Sequence, residues 1–422
     1  MRGQESVIER RDWVTVLLYL GLVLFGWSAI YAANYDPVNP ASLFDLSTEP
    51  GKQLIWIVTS IVLIIAVMIV EFRFYETISY LFYGLFIVLL IAVLIFGTKI
   101  SGARSWFDIG FYRFQPSEFA KIATALALAR YIQDNNSSFD KLKDYLWVGG
   151  LVVLPVLLIL QQPDAGTALI FGSFIIMMYR EGINPLIPIL GISFIIIFVL
   201  TLLIEDIYLY SAIVLAGFLV IILGTRSTRR IIIVISAMIV VSGSILSMDM
   251  ILNNVLLPHQ KKRIEVLIDP ARDPKGVGWN VMQSKNAIGI GGVNGSGYLN
   301  GLLTKNDYVP AHTTDFIYCT VAEEHGFVGS FVLIGLFCLF LLRIIRLAER
   351  QKSRYARAYG YSVVGIFFFH FLINIAMTVG LFPVVGIPLP FFSYGGSSLW
   401  SFTILLFILI KLDAHRMQIL QR

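Results

Sequence analysis

Residues 309–326 read Val-Pro-Ala-His-Thr-Thr-Asp-Phe-Ile-Tyr-Cys-Thr-Val-Ala-Glu-Glu-His-Gly, and the chain then runs on, mostly apolar, to about residue 346. A polar segment here passes into a stretch long enough to cross a bilayer, which takes about 20 apolar residues. Asp315 stands at that passage. Carboxylates at a water–lipid boundary are partly desolvated, which strengthens them as proton acceptors, so Asp315 is a candidate catalytic base. An Asp ahead of an apolar run is also a common helix N-cap, and the local sequence leaves both roles open.

Working outward, apolar runs of similar length recur at about 13–33, 53–71, 75–97, 117–133, 145–162, 166–181, 185–204, 207–224, 230–249, 316–346, 357–380 and 395–412. Hydrophobic residues make up 57% of the 422 and charged residues only 14%, with a mean hydropathy of +0.79. Such a chain is an all-α polytopic membrane protein, with about twelve predicted spans and one long polar segment, 250–314.

The connecting charges set the orientation, since Lys and Arg accumulate in cytoplasmic turns. Arg2, Arg10 and Arg11 begin inside; Arg73, then Arg130, Lys141 and Lys143, then Arg180, then Arg226, Arg229 and Arg230 follow at alternate turns. The turn with Arg343, Arg346, Arg350, Lys352, Arg354 and Arg357 is the most basic. Both termini are therefore expected in the cytoplasm, and Asp315 outside. The outside segment still holds Lys261, Lys262, Arg263, Arg272, Lys275, Lys285 and Lys305. Long loops escape the orientation rule, but a cationic surface beside the outer leaflet also suits an anionic headgroup such as a pyrophosphate. The first run is too long for a cleaved signal peptide.

Absences narrow the chemistry. There is no GxxxxGK[ST], no Asp-x-Asp pair and no HExxH, and the run Gly289-Ile-Gly291-Gly292-Val-Asn-Gly295-Ser-Gly297 does not match GxGxxG. Nucleotide binding, an ATP-driven pump and a nucleotide-sugar transferase are disfavoured, and no nucleic-acid partner is expected. Cys319 and Cys338 both fall in predicted membrane helix and form neither a disulfide framework nor a metal site.

Polar clusters remain at the outer ends of the predicted helices: Gly102-Ala-Arg104-Ser-Trp106, Gln115-Pro-Ser-Glu118-Phe-Ala-Lys121, Gln162-Pro-Asp164-Ala-Gly-Thr167, Gln283-Ser-Lys285, and Pro383-Val-Val-Gly386-Ile-Pro388-Leu-Pro390-Phe-Phe-Ser393-Tyr-Gly-Gly-Ser397-Ser398. In this order and spacing they resemble the SEDS family of peptidoglycan glycosyltransferases, from about residue 98 to 415. Gln283-Ser-Lys285, Ala322-Glu-Glu324 and Phe382-Pro-Val-Val-Gly-Ile-Pro-Leu-Pro390 are similar to the elongation and cell-shape branch rather than the division branch. Two features depart from the family pattern. The His two places before the Asp is replaced by Thr313, with His312 one place earlier, and residues 185–249 offer three spans where the family has one. An inserted helix pair, making twelve helices from ten, would preserve the topology.

The resemblance implies a single membrane domain that polymerises lipid II into β-1,4 glycan strands on the outer face of the bacterial plasma membrane. Asp315 would be the general base, drawing the proton from the acceptor hydroxyl in an inverting attack. Arg104 and Lys121 would stabilise the leaving pyrophosphate, with Glu118 holding Lys121 across one helix turn; an ion pair that only fixes helix packing is the other reading. Lys285 binds phosphate or is a solvated loop residue. Asp164 is a candidate cap and turn residue, and one of Glu323 and Glu324 should face inward. His370 and Asn374 share a helix face and should bond to neighbouring helices. The prolines between 383 and 390, followed by Ser393, Ser397 and Ser398, predict non-helical backbone lining the substrate cavity or forming a rigid turn. No cofactor is implied beyond a candidate divalent cation, Mg or Mn. The implied partners are lipid II, the nascent glycan strand and a class B penicillin-binding protein. A lipid II flippase and a non-catalytic scaffold for a cell-wall transpeptidase are the alternatives that the composition shares.

Overall fold

The computed structural model describes residues 12–36, 42–100, 102–110, 112–137, 139–223, 227–250, 258–274 and 276–416. Arg2, Arg10, Arg11, Arg226 and Lys275, used above for charge counting, lie outside them. Each of the twelve apolar runs coincides with helix: α1 (Trp13–Ala33), α2 (Glu49–Ile69), α3 (Phe72–Phe96), α4 (Pro116–Asp134), α5 (Leu142–Gln161), α6 (Ala165–Ile170) leading through a 3-10 turn into α7 (Phe174–Arg180), α8 (Leu186–Leu203), α9 (Asp206–Leu223), α10 (Thr228–Met250), α14 (Ile317–Glu349), α15 (Arg354–Thr378) and α16 (Gly396–Ala414). Among the described residues, seven of these, α1, α2, α3, α5, α14, α15 and α16, are each long and apolar enough to cross a membrane. The segment 250–314, expected as a loop, carries three helices, α11 (Pro258–Ile268), α12 (Val277–Gly291) and α13 (Leu302–Lys305). None of them holds an apolar run of membrane length, which hid them from a reading based on such runs.

The chain forms two compact units, one of residues up to Ile183 together with Asn280 onward, the other of Asn184–Trp279. In the second unit α10 packs on both α8 and α9, and Lys262 pairs with Asp273 at 3.0 Å. That ion pair, helped by the amides of Val277 and Gly278, outweighs the opposing effect of burial and holds the Asp273 carboxyl below its ordinary pKa.

In the first unit α4 is the central helix, packed against α3, α5, α15 and α16. Its sequence explains the place: Ala120, Ala123, Ala125, Ala127 and Ala129 let neighbours approach on all sides, and Pro116 starts it where no intrahelical donor is needed. A small antiparallel sheet, β1 (Thr98–Ile100), β2 (Ala103–Ile109) and β3 (Tyr112–Phe114), leads into α4. α14 is not one straight rod, because Gly326 takes φ 63° and ψ −156° and breaks it. The helix ends around the α14–α15 connection are fastened by buried carboxylates: Asp12, capping α1, binds Arg343; Asp413 on α16 takes both Nε and Nη2 of Arg350 at 2.7 and 2.5 Å; Glu181 takes both from Arg357 at 2.8 and 3.0 Å.

The connection between α15 and α16 packs onto α1, where Phe25 meets Phe392 edge-on at 5.2 Å. Gly26 makes room for it: a Cβ there would lie 2.6 Å from Phe392 Cα, a backbone atom with no freedom to withdraw. Replacing Gly26 with Val should therefore destabilise the protein by about 1–3 kcal/mol through overpacking, measured as a fall in unfolding midpoint in detergent. The exposed Gly21→Val, with nothing within 4 Å of the new Cβ, should leave the midpoint nearly unchanged.

Candidate functional site

Asp315 lies in the turn that precedes α14, half-buried, between buried Thr313 and Phe316. The helix begins at Ile317, with Phe316 rather than Asp315 as its N-cap. The backbone of this turn is held from outside. The carbonyls of Thr313, Thr314 and Asp315 each accept a hydrogen bond, from Tyr394 N at 2.9 Å, Ser393 Oγ at 2.6 Å and Asn374 Nδ2 at 2.8 Å. All three donors come from α15 or the connection after it. Ser393 Oγ also accepts from Leu389 N at 2.8 Å, and Asn374 Nδ2 also donates to Ile387 O at 2.7 Å. The proline-rich motif is thus folded into a brace along the Asp315 turn. Gly386, at φ +73°, completes it: a Cβ there would lie 3.3 Å from Asp315 Oδ2.

One helical turn before Asn374, His370 bonds through Nδ1 to Pro388 O at 3.1 Å and through Nε2 to Lys121 Nζ at 2.8 Å. Lys121 can only donate, so Nε2 is the acceptor and Nδ1 carries the proton. The same ammonium meets both carboxylate oxygens of Glu118 at 3.1 Å and lies 5.1 Å from the Phe402 ring centroid. Ser401 Oγ donates to Glu118 Oε2 at 3.0 Å. Lys121 is 1% exposed and Glu118 3%, so this pair is enclosed and fully partnered, as a buried ion pair must be. Through His370 and Asn374 it is joined to the same brace that holds Asp315.

The other candidates occupy distinct places. Arg104 sits on β2, its Nη1 on Leu94 O near the end of α3 at 3.2 Å and its amide on Gln162 O at 3.1 Å. Asp164 caps α6 through Thr167 N at 3.0 Å and Thr167 Oγ1 at 2.8 Å, and accepts from Gln115 Nε2 at 3.0 Å. Ser397 ties the start of α16 to the start of α4, donating to Arg113 O at 2.8 Å and accepting from Gln115 N at 3.2 Å. Ser398 Oγ donates to Gly395 O at 3.1 Å. Lys285 is exposed on α12, its Nζ 3.0 Å from where a Cβ on Gly380 would be. Its neighbour Ser284 reaches Thr378 O at 2.7 Å and Cys319 Sγ at 2.8 Å, one turn beyond Asp315. His312 is turned to Val309 O, 2.9 Å from Nδ1. Glu323 and Glu324 are both buried. Among the described residues no group of three or more His, Cys, Asp or Glu could hold a metal ion.

The FtsW/RodA/SpoVE family model, described as a cell cycle protein, matches residues 11–201 and 179–418. The peptidoglycan glycosyltransferase RodA of Treponema pallidum is 33% identical over 96% of this chain and 98% of its own length. The peptidoglycan glycosyltransferase MrdB of Escherichia coli K12 is 30% identical over 96% of this chain and 94% of its own length. Among solved structures, a chain of a peptidoglycan synthase complex that coordinates polymerization and crosslinking is 26% identical, with a TM-score of 0.73, over 97% of this chain and 99% of that one. The rod shape determining protein RodA of Thermus thermophilus shares the fold, with a TM-score of 0.62 at 24% identity over 97% of this chain and 98% of that one.

The brace makes a quantitative expectation. Ser393→Ala and Asn374→Ala each leave buried backbone groups without partners and should cost about 1–3 kcal/mol apiece. Because both hold one turn, the double variant should be non-additive by about 0.5 kcal/mol or more, read from a double-mutant cycle on unfolding in detergent.

Proposed function

This chain belongs to the FtsW/RodA/SpoVE family and is a peptidoglycan glycosyltransferase of the bacterial plasma membrane; we propose that it polymerises lipid II on the outer face, with Asp315 as the general base. The observation that carries the proposal is the brace of three hydrogen bonds along residues 313–315, which fixes the backbone of a half-exposed carboxylate at the entry of α14. A general base needs a fixed position and access to its substrate, and this turn offers both.

In the reaction, the 4-hydroxyl of the acceptor N-acetylglucosamine attacks C1 of the donor N-acetylmuramic acid. The C1–O bond to undecaprenyl pyrophosphate breaks, the configuration inverts, and Asp315 takes the hydroxyl proton. The pyrophosphate is already a good leaving group, so a cation suffices where a glycosidase needs an acid. Lys285, exposed beside Gly380 and next to the Ser284 that packs on Cys319, is the proposed phosphate contact. Lys121, enclosed by Glu118, His370 and Phe402, acts by holding Pro388 through His370 rather than by touching substrate. The protein also works beside a penicillin-binding transpeptidase that cross-links the strands, a reading supported by the similarity to a chain of a peptidoglycan synthase complex.

Replacing Asp315 with Asn keeps the shape and removes the basicity. Polymerisation of purified lipid II should fall by about 10²- to 10⁴-fold while the unfolding midpoint stays within error. A near wild-type rate would remove Asp315 as base. Adding the cognate transpeptidase at equal stoichiometry should raise the wild-type rate, and equal rates with and without it would mean two enzymes acting side by side.

The twelve-span topology with both termini in the cytoplasm is part of the same proposal. It expects Asp307→Cys, at an 88% exposed position, to react with an impermeant thiol reagent outside intact spheroplasts. Lys352→Cys, in the connection between α14 and α15, should not react. The reverse pattern would put the site on the wrong face.

A further inference from the structure

The glycine-rich run from Gly289 to Gly297, which matches no nucleotide-binding pattern, lies against the break in α14. A continuous helix would pair the amides of Phe327 and Val328 with the carbonyls of Glu323 and Glu324. Here Phe327 N donates to Gly292 O at 2.9 Å and Val328 N to Val293 O at 3.2 Å. The released carbonyls of Glu323 and Glu324 accept from Ser296 N and Gly297 N, each at 3.0 Å. Two donors and two acceptors are exchanged with one inserted segment, so the break costs no unpaired peptide group. The insertion requires backbone without side chains. Gly295 has φ +81°, a Cβ on it would lie 2.1 Å from Glu324 O, and a Cβ on Gly326 would lie 2.3 Å from Gly295 N.

The chain after the insertion turns back and ties itself to the same short helix. Glu323 Oε1 accepts from Leu303 N at 2.7 Å, and Oε2 accepts from Thr304 N at 3.0 Å and Thr304 Oγ1 at 2.7 Å. Ser296 Oγ adds a bond to Glu323 O at 2.9 Å. The carboxylate itself is wholly buried.

We propose that residues 292–304, anchored on Glu323, position the half-helix 317–325 and thereby set where the Asp315 carboxylate stands. The inference rests on the reading of Asp315 as the base, and it makes Glu323 a positioning residue. The physical reason is the break. A helix of two and a half turns has little stability of its own, and Gly326 uncouples it from the rest of α14. Whatever grips it decides its register. The brace from α15 and its connection grips the Asp315 end, and the 292–304 segment grips the other.

The test uses the full chain with Cys319 and Cys338 replaced by Ala and with Asp315→Cys, and reads the maleimide labelling rate at position 315. The rate is compared for Glu323, Glu323→Gln and Glu323→Ala, beside kcat and KM for lipid II polymerisation in chains that retain Asp315. Glu323→Ala should change the labelling rate about tenfold and lower kcat about 10- to 100-fold with KM nearly unchanged. Glu323→Gln, which keeps an acceptor oxygen, should restore most of both. Thr304→Val removes one of the three bonds and leaves both amides, so it decides the question at about threefold amplitude if Glu323→Ala does not fold. Unchanged labelling in the folded variants overturns the proposal whatever the activity does. Changed labelling with unchanged kcat keeps the positioning and removes the role of Asp315 as base.

Discussion

A peptide group cannot be left unpaired at membrane depth, and the functional end of this protein is built around places where a helix stops or breaks. At Gly326 the two lost helical bonds are replaced by four bonds to residues 292–297. Before Ile317, the carbonyls of residues 313–315 are taken up by Tyr394, Ser393 and Asn374. Each substitution of one backbone partner for another fixes the geometry around Asp315 as a by-product of satisfying the chain. The general base proposed at Asp315 would need such fixity.

The Glu118–Lys121 pair belongs to the same logic at a deeper level. Removing one member of a buried pair costs about 3–5 kcal/mol, because the other charge is left without compensation. Lys121 is bound on three sides, by Glu118, by His370 and by the face of Phe402. His370 passes that constraint to Pro388 O, and Asn374 passes it from Ile387 O to Asp315 O. Packing energy in the centre of the bundle is thereby coupled to the position of one carboxylate at its edge.

Much of this was legible in the sequence. Apolar runs gave every long helix because a bilayer imposes a length, and the motif around Asp315 and the 383–398 stretch stood out because polar and proline-rich residues are expensive there. The helices of 250–314 were not legible, since α11 and α12 lack an apolar run of membrane length. Nor was the role of the serines. The sequence leaves Ser393 and Ser397 between lining a cavity and forming a rigid turn, and their hydroxyls bond to the backbone of Thr314 and Arg113; hydrogen-bond partners far apart in sequence leave no local trace. The glycines of 289–297 were visible as unusual, but their partner is a helix break some thirty residues away, signalled only by a lone Gly326 that is ordinary within a membrane helix.

The arginines between α14 and α15 carry a consequence of another kind. Orientation by charge counts lysine and arginine alike, and on that basis these positions are interchangeable. The bidentate pairs of Arg350 with Asp413 and of Arg357 with Glu181 are not, because only a guanidinium presents two parallel donors to a buried carboxylate. Two physical requirements therefore meet at the same residues, one indifferent to side-chain shape and one dictated by it. A lysine at either position would keep the charge and lose the paired geometry that fastens these helix ends.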